Sequence, residues 1–272
     1  QHGRRLNMRK KRILFCSEAT FLNTGYATYA RETLNYLHST GKYDLAEMAS
    51  YGEKNDPRGQ DLPWAFYGAM PNTTCEPLSS KEEIDAYNSK PTNQFGEFAF
   101  EHVCLDFMPD IVCDIRDFWM LDFAERSPFR KYFKWCIMPT VDARPQARQW
   151  IATYEGADAC LTYSDWAGGI LQDQSGGKIN YLGSSPPSAH PAYKPKDKKK
   201  LREQYGLDHD AKIIGTVMRN QRRKLYPDLF EAFKLFLDKS EDKNYYLYCH
   251  TSYPDLGWDI PELLQQHGIA SK

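Results

Sequence analysis

The chain has little that would carry it into a membrane or tie it with disulfides. No apolar run approaches the length of a membrane span, about 18 residues, and no charged segment followed by an apolar stretch opens the sequence. An excess of one charge is missing too. Lys and Arg number 35 against 36 Asp and Glu, a formal net of -1, so no global field exists to hold a nucleic-acid backbone. There is no C-x-x-C pair. The cysteines, Cys16, Cys75, Cys104, Cys113, Cys136, Cys160 and Cys249, are scattered, mostly through apolar strand-like runs, and read as reduced core residues, not as zinc ligands or disulfides. No G-x-G-x-x-G fingerprint occurs, which argues against a dehydrogenase. These absences leave the expectation of a soluble, unexported, cytoplasmic protein with no integral membrane segment. What is present is core material: 41% hydrophobic and 14% aromatic residues over 272 positions suit about two domains.

Strand-like and helix-like segments alternate along the chain. Residues 12–19, 43–51, 64–70, 111–117, 135–141, 159–164 and 178–182 read as strands. Between them, 25–37, 95–107, 122–132, 146–154 and 165–174 read as helices, and 72–93 as a surface loop holding a short helix over 81–87. Such alternation predicts a largely parallel sheet. Residues 1–7 are set aside as a remnant or an upstream extension, and 8–183 form an N-terminal domain. A segment with four prolines between Ser184 and Pro195 opens the linker, 184–210. From 211 to 272 the sequence supplies strand, helix, strand and helix, the beginning of a second doubly wound domain that is expected to be incomplete. Its strands at 213–217 and 245–248 are too apolar to stand as open edges, so self-association or a completing C-terminal segment is expected.

The densest signal lies at Ile213-Ile214-Gly215-Thr216-Val217-Met218-Arg219-Asn220-Gln221-Arg222-Arg223-Lys224. An apolar strand runs into a cationic turn, and after it Leu229, Phe230, Phe233, Leu235, Phe236 and Leu237 recur at helical spacing. Free N–H groups and the dipole at a helix start favour negative charge, and Arg219 with Lys224 adds two positive charges suited to a phosphate or diphosphate.

This turn resembles the second domain of a GT-B glycosyltransferase of the retaining "group 1" kind, built from two Rossmann-like halves. There an Arg, four residues and a Lys follow the first strand of the C-terminal domain. Arg219 and Lys224 stand at that spacing, ahead of Tyr226-Pro227-Asp228-Leu229-Phe230-Glu231-Ala232-Phe233. A second stretch, Tyr246-Leu247-Tyr248-Cys249-His250-Thr251-Ser252 followed by Gly257-Trp258-Asp259-Ile260-Pro261-Glu262-Leu263-Leu264, resembles the family's next strand and helix. The resemblance implies an α/β, GT-B-like fold and transfer of a sugar from a nucleotide-diphosphate sugar to a hydroxyl-bearing acceptor, with retention. It implies donor contacts from Arg219, Lys224, Asn220 and His250. The nucleotide-sugar is a substrate, so no cofactor is implied, and neither is a metal. The family's pair of glutamates late in the second domain cannot be assigned here. A non-catalytic nucleotide- or sugar-binding module, or one fragment of a split or truncated transferase, therefore stays open.

Two further places carry candidate chemistry. Asn23, Thr24 and Gly25 lie in the turn between the first strand and its helix, where the family's loop faces the donor or acceptor, although Thr24 reads equally as an ordinary helix cap. Asp117 and Asp142 sit at expected strand ends, where open α/β sheets gather ligands. Both are candidate catalytic residues, able to accept hydrogen bonds from sugar hydroxyls or to help deprotonate an acceptor. The competing account, a helix cap or a partner of Arg116 or Arg144, stands level with this for Asp142 and ahead of it for Asp117.

Overall fold

The computed structural model describes residues 9–190 and 192–271, so the expected N-terminal remnant at 1–7 lies outside the described residues. The chain divides into two compact units, Gln1–Ser188 and Ala189–Lys272.

Unit 1 begins with strand β1 (Lys11–Glu18), helix α1 (Gly25–Ser39), β2 (Tyr43–Glu53), the single turn α2 (Pro57–Gln60) and β3 (Ala65–Met70). Helices α3 (Lys81–Asn88) and α4 (Glu97–Phe107) lead to β4 (Ile111–Asp114), then the short helices α5 (Phe118–Leu121) and α6 (Phe123–Arg126) and strand β5 (Lys134–Ile137). Helix α7 (Arg148–Glu155), β6 (Ala159–Thr162), α8 (Asp165–Ser175) and β7 (Tyr181–Ser184) complete it. Its seven strands are all parallel, in the order β3-β2-β1-β4-β5-β6-β7 of a doubly wound sheet.

Both faces of this sheet are covered. Successive residues of β1 turn to opposite sides: Ile13 and Phe15 pack with Ala30 and Leu34 of α1, whereas Leu14 and Cys16 join Phe100, Trp135 and Tyr154 on the other face. Covering on both sides is why the strands read as continuous apolar runs. All seven cysteines are free thiols, and Cys16, Cys104 and Cys160 are buried.

Three expected elements change. The expected strand 135–141 stops at Ile137. Met138 still donates to Asp114 O at 2.8 Å, but Pro139 has no N–H to continue the ladder. The expected strand 111–117 stops at Asp114, where the next contact, Ile115 N–H to Cys16 O, has lengthened to 3.5 Å. The expected helix 122–132 is broken at Ser127, which is extended (φ -62°, ψ 140°) because the ring of Pro128 disfavours a helical residue before it.

Unit 2 holds α9 (Lys198–Gln204), β8 (Lys212–Val217), α10 (Tyr226–Lys239), β9 (Tyr245–His250) and α11 (Ile260–Gln266). Strands β8 and β9 form a two-stranded parallel sheet. Tyr226, Phe230, Phe233 and Leu237 of α10 pack with Ile260 of α11 and with Tyr245, Leu247 and Cys249 of β9. Ile213, Val217 and Tyr248 remain 40%, 78% and 54% exposed, so the sheet keeps uncovered apolar surface.

Candidate functional site

In unit 1, polar side chains gather at the carboxyl ends of β1, β4 and β5. Strands β1 and β4 are neighbours, and the chain leaves them toward opposite edges of the sheet, which opens a crevice at this point in such folds. The β1–α1 loop is anchored at Thr20, whose N–H and hydroxyl donate to Glu47 at 3.3 and 2.7 Å. Trp64 Nε1 donates to the same carboxylate at 2.8 Å, and Arg31 Nη1 holds Thr20 O at 2.8 Å. Burial pushes the Glu47 carboxyl up, against the pull of these hydrogen bonds.

Further along the loop, Asn23, Thr24 and Gly25 are all exposed. Thr24 caps α1: its hydroxyl accepts from Ala27 N–H at 3.2 Å and donates to Glu18. That hydroxyl is committed to the fold. Gly25 opens the 15-residue helix with nothing within 4 Å of where a Cβ would stand, so ligand atoms can approach the backbone there. Next in sequence, Tyr26 pairs its hydroxyl with Thr140 Oγ1 at 2.8 Å. Burial pushes this phenol up to about 12, and the neighbouring Asp117 carboxylate adds to the effect.

Tyr26, Thr140 and Asp117 are thus brought together. Asp117 is not at a strand end, as the sequence suggests, but at the start of α5, where its side chain makes no capping bond. Asp142 likewise lies beyond β5, in an exposed loop, with no hydrogen bond or ion pair among the described residues. Neither takes the arginine partner open to it in the sequence, because Arg116 forks onto Asp114 inside the core and Arg144 pairs with Asp173 at 2.7 Å.

In unit 2, the turn after β8 meets the loop after β9. Arg219 reaches Asp255 through two bonds, Nε to Oδ2 at 2.9 Å and Nη2 to Oδ1 at 3.0 Å. The guanidinium is more than half exposed, and pairing with the carboxylate raises it further above its ordinary range while holding Asp255 far below the usual one. Lys224 closes a 3-10 turn, Arg222–Lys224, and its ammonium has no acidic partner among the described residues. Leu225 follows in the left-handed region (φ 51°), a conformation that costs a side-chain-bearing residue about 1 kcal/mol or more and turns the chain sharply into α10. His250 ends β9, exposed, with Nδ1 2.9 Å from the Tyr248 hydroxyl.

Asn220 corrects an expectation. It is fully buried, its amide donating to Trp258 O at 2.8 Å and accepting from Trp258 N–H at 2.9 Å. Both ends of the amide are spent on latching one loop to the other, so its side chain braces the site and offers nothing to a ligand. Glu18, Tyr26 and Thr140 in unit 1, with Asp255 and Trp258 in unit 2, are the residues that sequence reasoning missed. Each acts through a pairing between separate loops or elements, for which local spacing gives no signal. Among the described residues no three His, Cys, Asp or Glu side chains cluster as a metal site would need, and no helix is long and apolar enough to cross a membrane.

No family model matches the sequence, and no curated protein matches it. Solved structures do match the fold. The MnaA–UDP structure from S. aureus is 14% identical with a TM-score of 0.59, the match covering 96% of this chain and 66% of that one. UDP-GlcNAc 2-epimerase from Neisseria meningitidis, solved with UDP-GlcNAc bound, is 11% identical with a TM-score of 0.57, covering 97% and 70%. An α,α-trehalose-phosphate synthase (UDP-forming) from Burkholderia vietnamiensis is 12% identical with a TM-score of 0.55, covering 97% and 68%. The chain therefore has a GT-B-type fold, and it spans about two thirds of the length of these proteins.

Proposed function

We propose that this chain binds a nucleotide-diphosphate sugar and serves glycosyl transfer to a hydroxyl-bearing acceptor, with retention. The observation that carries the reading is the turn after β8, where Arg219 and Lys224, which has no acidic partner among the described residues, stand at the start of a packed helix, in a fold whose neighbours include UDP-sugar enzymes. In this reading the bond from the anomeric carbon to the diphosphate oxygen breaks and a bond to the acceptor oxygen forms. Arg219 and Lys224 stabilise the negative charge that develops on the departing diphosphate, electrostatic work that needs no metal ion. Asp142, exposed and without a partner among the described residues, and Asp117 beside Tyr26 accept the acceptor's hydroxyl hydrogen bonds and assist loss of its proton. Gly25 and Asn23 offer backbone and side-chain contacts at the β1–α1 loop, and His250 offers its exposed ring.

The test is UDP and GDP binding by calorimetry to the native chain and to Arg219→Ala and Lys224→Ala. Either substitution is expected to weaken binding about tenfold or more, as loss of a charge-assisted contact would, with little change in melting temperature, since exposed charges add little stability. Equal affinity in all three proteins sinks the assignment of the turn. Binding that responds to both substitutions, with neither transfer nor hydrolysis of any nucleotide-sugar, favours instead a non-catalytic binding module.

A further inference from the structure

The two loops of unit 2 differ in what fixes them. The loop after β9 is held from several sides. Asn220 grips the Trp258 backbone, Trp258 Nε1 donates to Arg222 O at 3.3 Å, and the Arg222 guanidinium lies 4.5 Å from the centre of the Trp258 ring. A Cβ on Gly257 would come within 2.1 Å of Asn220 Oδ1 and 2.6 Å of its backbone, so the loop sits hard against the turn. Within the loop, Asp255 is pinned by the Ser252 hydroxyl on Oδ2 at 2.6 Å and by Leu256 N–H on Oδ1 at 2.7 Å, and its side chain is 8% exposed. Arg219, by contrast, is 58% exposed, and its guanidinium has no other partner among the described residues. The carboxylate is the fixed object; the guanidinium is tethered to it.

A guanidinium carries its N–H groups on three edges. The pairing with Asp255 uses the edge made by Nε and one N–H of Nη2. Both N–H groups of Nη1 and the second of Nη2 stay free, and the edge shared by Nη1 and Nη2 has the two-toothed geometry that fits a phosphate. An untethered arginine at this exposure would have to give up side-chain freedom to present that edge.

We propose that Asp255 is a positioning residue for the anion site: it sets the plane of the Arg219 guanidinium so that the free edge meets the diphosphate. This rests on the reading of Arg219 as a diphosphate ligand. Asp255 itself touches no substrate; it acts through Arg219. Its charge also opposes an incoming anion, so the alternative, in which Asp255 merely competes for Arg219, predicts the opposite sign on removal.

The experiment is a double-mutant cycle on the full chain, with Arg219→Ala, Asp255→Asn and the pair, reading affinity for UDP and for inorganic pyrophosphate. Asp255→Asn keeps an oxygen for Leu256 N–H but turns an amide N–H₂ toward Arg219, which breaks the two-toothed pairing without removing the loop's own turn. Melting temperature monitors folding, and the ¹⁵N–¹H signal of Arg219 Nε, shielded from exchange while paired, reports whether the tether is lost. The expected result is about fivefold weaker binding of both ligands in Asp255→Asn, and no further weakening when it is added to Arg219→Ala. An equal loss in both backgrounds would mean that Asp255 supports the loop and not the arginine. Tighter binding in Asp255→Asn would make it a competing charge, and either outcome overturns the proposal. If Arg219→Ala itself leaves affinity unchanged, the diphosphate reading fails and the positioning role falls with it. If Arg219→Ala weakens binding while Asp255→Asn does not, only the positioning role is lost.

Discussion

Glu53, at the end of β2, is predicted to be the stability-determining carboxylate of unit 1 under acid. It collects the Thr73 hydroxyl at 2.6 Å, Thr74 N–H at 3.0 and 3.1 Å to its two oxygens, the Thr74 hydroxyl at 3.1 Å and Cys75 N–H at 2.8 Å. Burial alone would push its carboxyl up, but the bonds from Thr73, Cys75 and Thr74 outweigh burial and hold it at about 2, against 4.5 for a free glutamate. Linkage converts that difference into a ceiling of about 3 kcal/mol at neutral pH. Water screening at the loop surface brings the expected contribution to about 1–2 kcal/mol. The folded value is the lower one, so the stabilisation is complete above pH 4.5 and drains away as pH falls toward 2. Glu53→Gln replaces an all-accepting group by one whose amide faces donors. It is expected to lower the melting temperature at pH 7 by about 2–8 °C and to flatten the decline between pH 4.5 and 3. Scanning calorimetry of both proteins across that range is the assay. A variant that melts with the native protein at pH 7 and falls just as steeply in acid would refute the reasoning.

Two further outcomes are expected in unit 2. Asn220→Ala orphans the N–H and carbonyl of Trp258, costing about 2–3 kcal/mol and opening residues 251–258 to limited proteolysis; an unchanged cleavage pattern would count against the latch. Phe230→Ala empties the centre of the α10–α11 core, where the ring is fully buried, and should cost about 3–5 kcal/mol by urea titration; less than about 1 kcal/mol would mean that this unit's core is not close-packed.

Much of the architecture was legible because its cause is local. Buried parallel strands need apolar residues on both faces, so β1 announced itself to within one residue at each end, and α10 did so through its phenylalanine and leucine spacing. Strand ends were harder, since Pro139 and the Ser127-Pro128 pair cut segments whose apolar character runs on past them. The candidate site was only half readable. Arg219 and Lys224 stand out as a charged turn after a strand, whereas Asp255 looks like any loop acid until folding brings it 36 residues back to Arg219. Tyr26 and Thr140 lie 114 residues apart. Asn220 shows the converse: the family resemblance implies a donor contact there, yet burial turns its side chain into a brace.

The strand order of unit 1 also sets a timetable for synthesis. Strand β1 lies inside the sheet, with β2 as its neighbour on one side and β4 on the other, whose pairing joins Ile13 to Ile111. While the roughly 100 residues between them emerge from the ribosome, at about 5–20 residues per second, one edge of an intensely apolar strand stays without a partner for about 5–20 seconds. Everything beyond β4 then adds outward, each strand onto the one before it, and closes no earlier gap. The nascent chain is therefore most exposed to wrong pairing in a single interval, after β1 and before β4, and a chaperone that shields β1 during that interval guards the step on which the rest of the sheet is built.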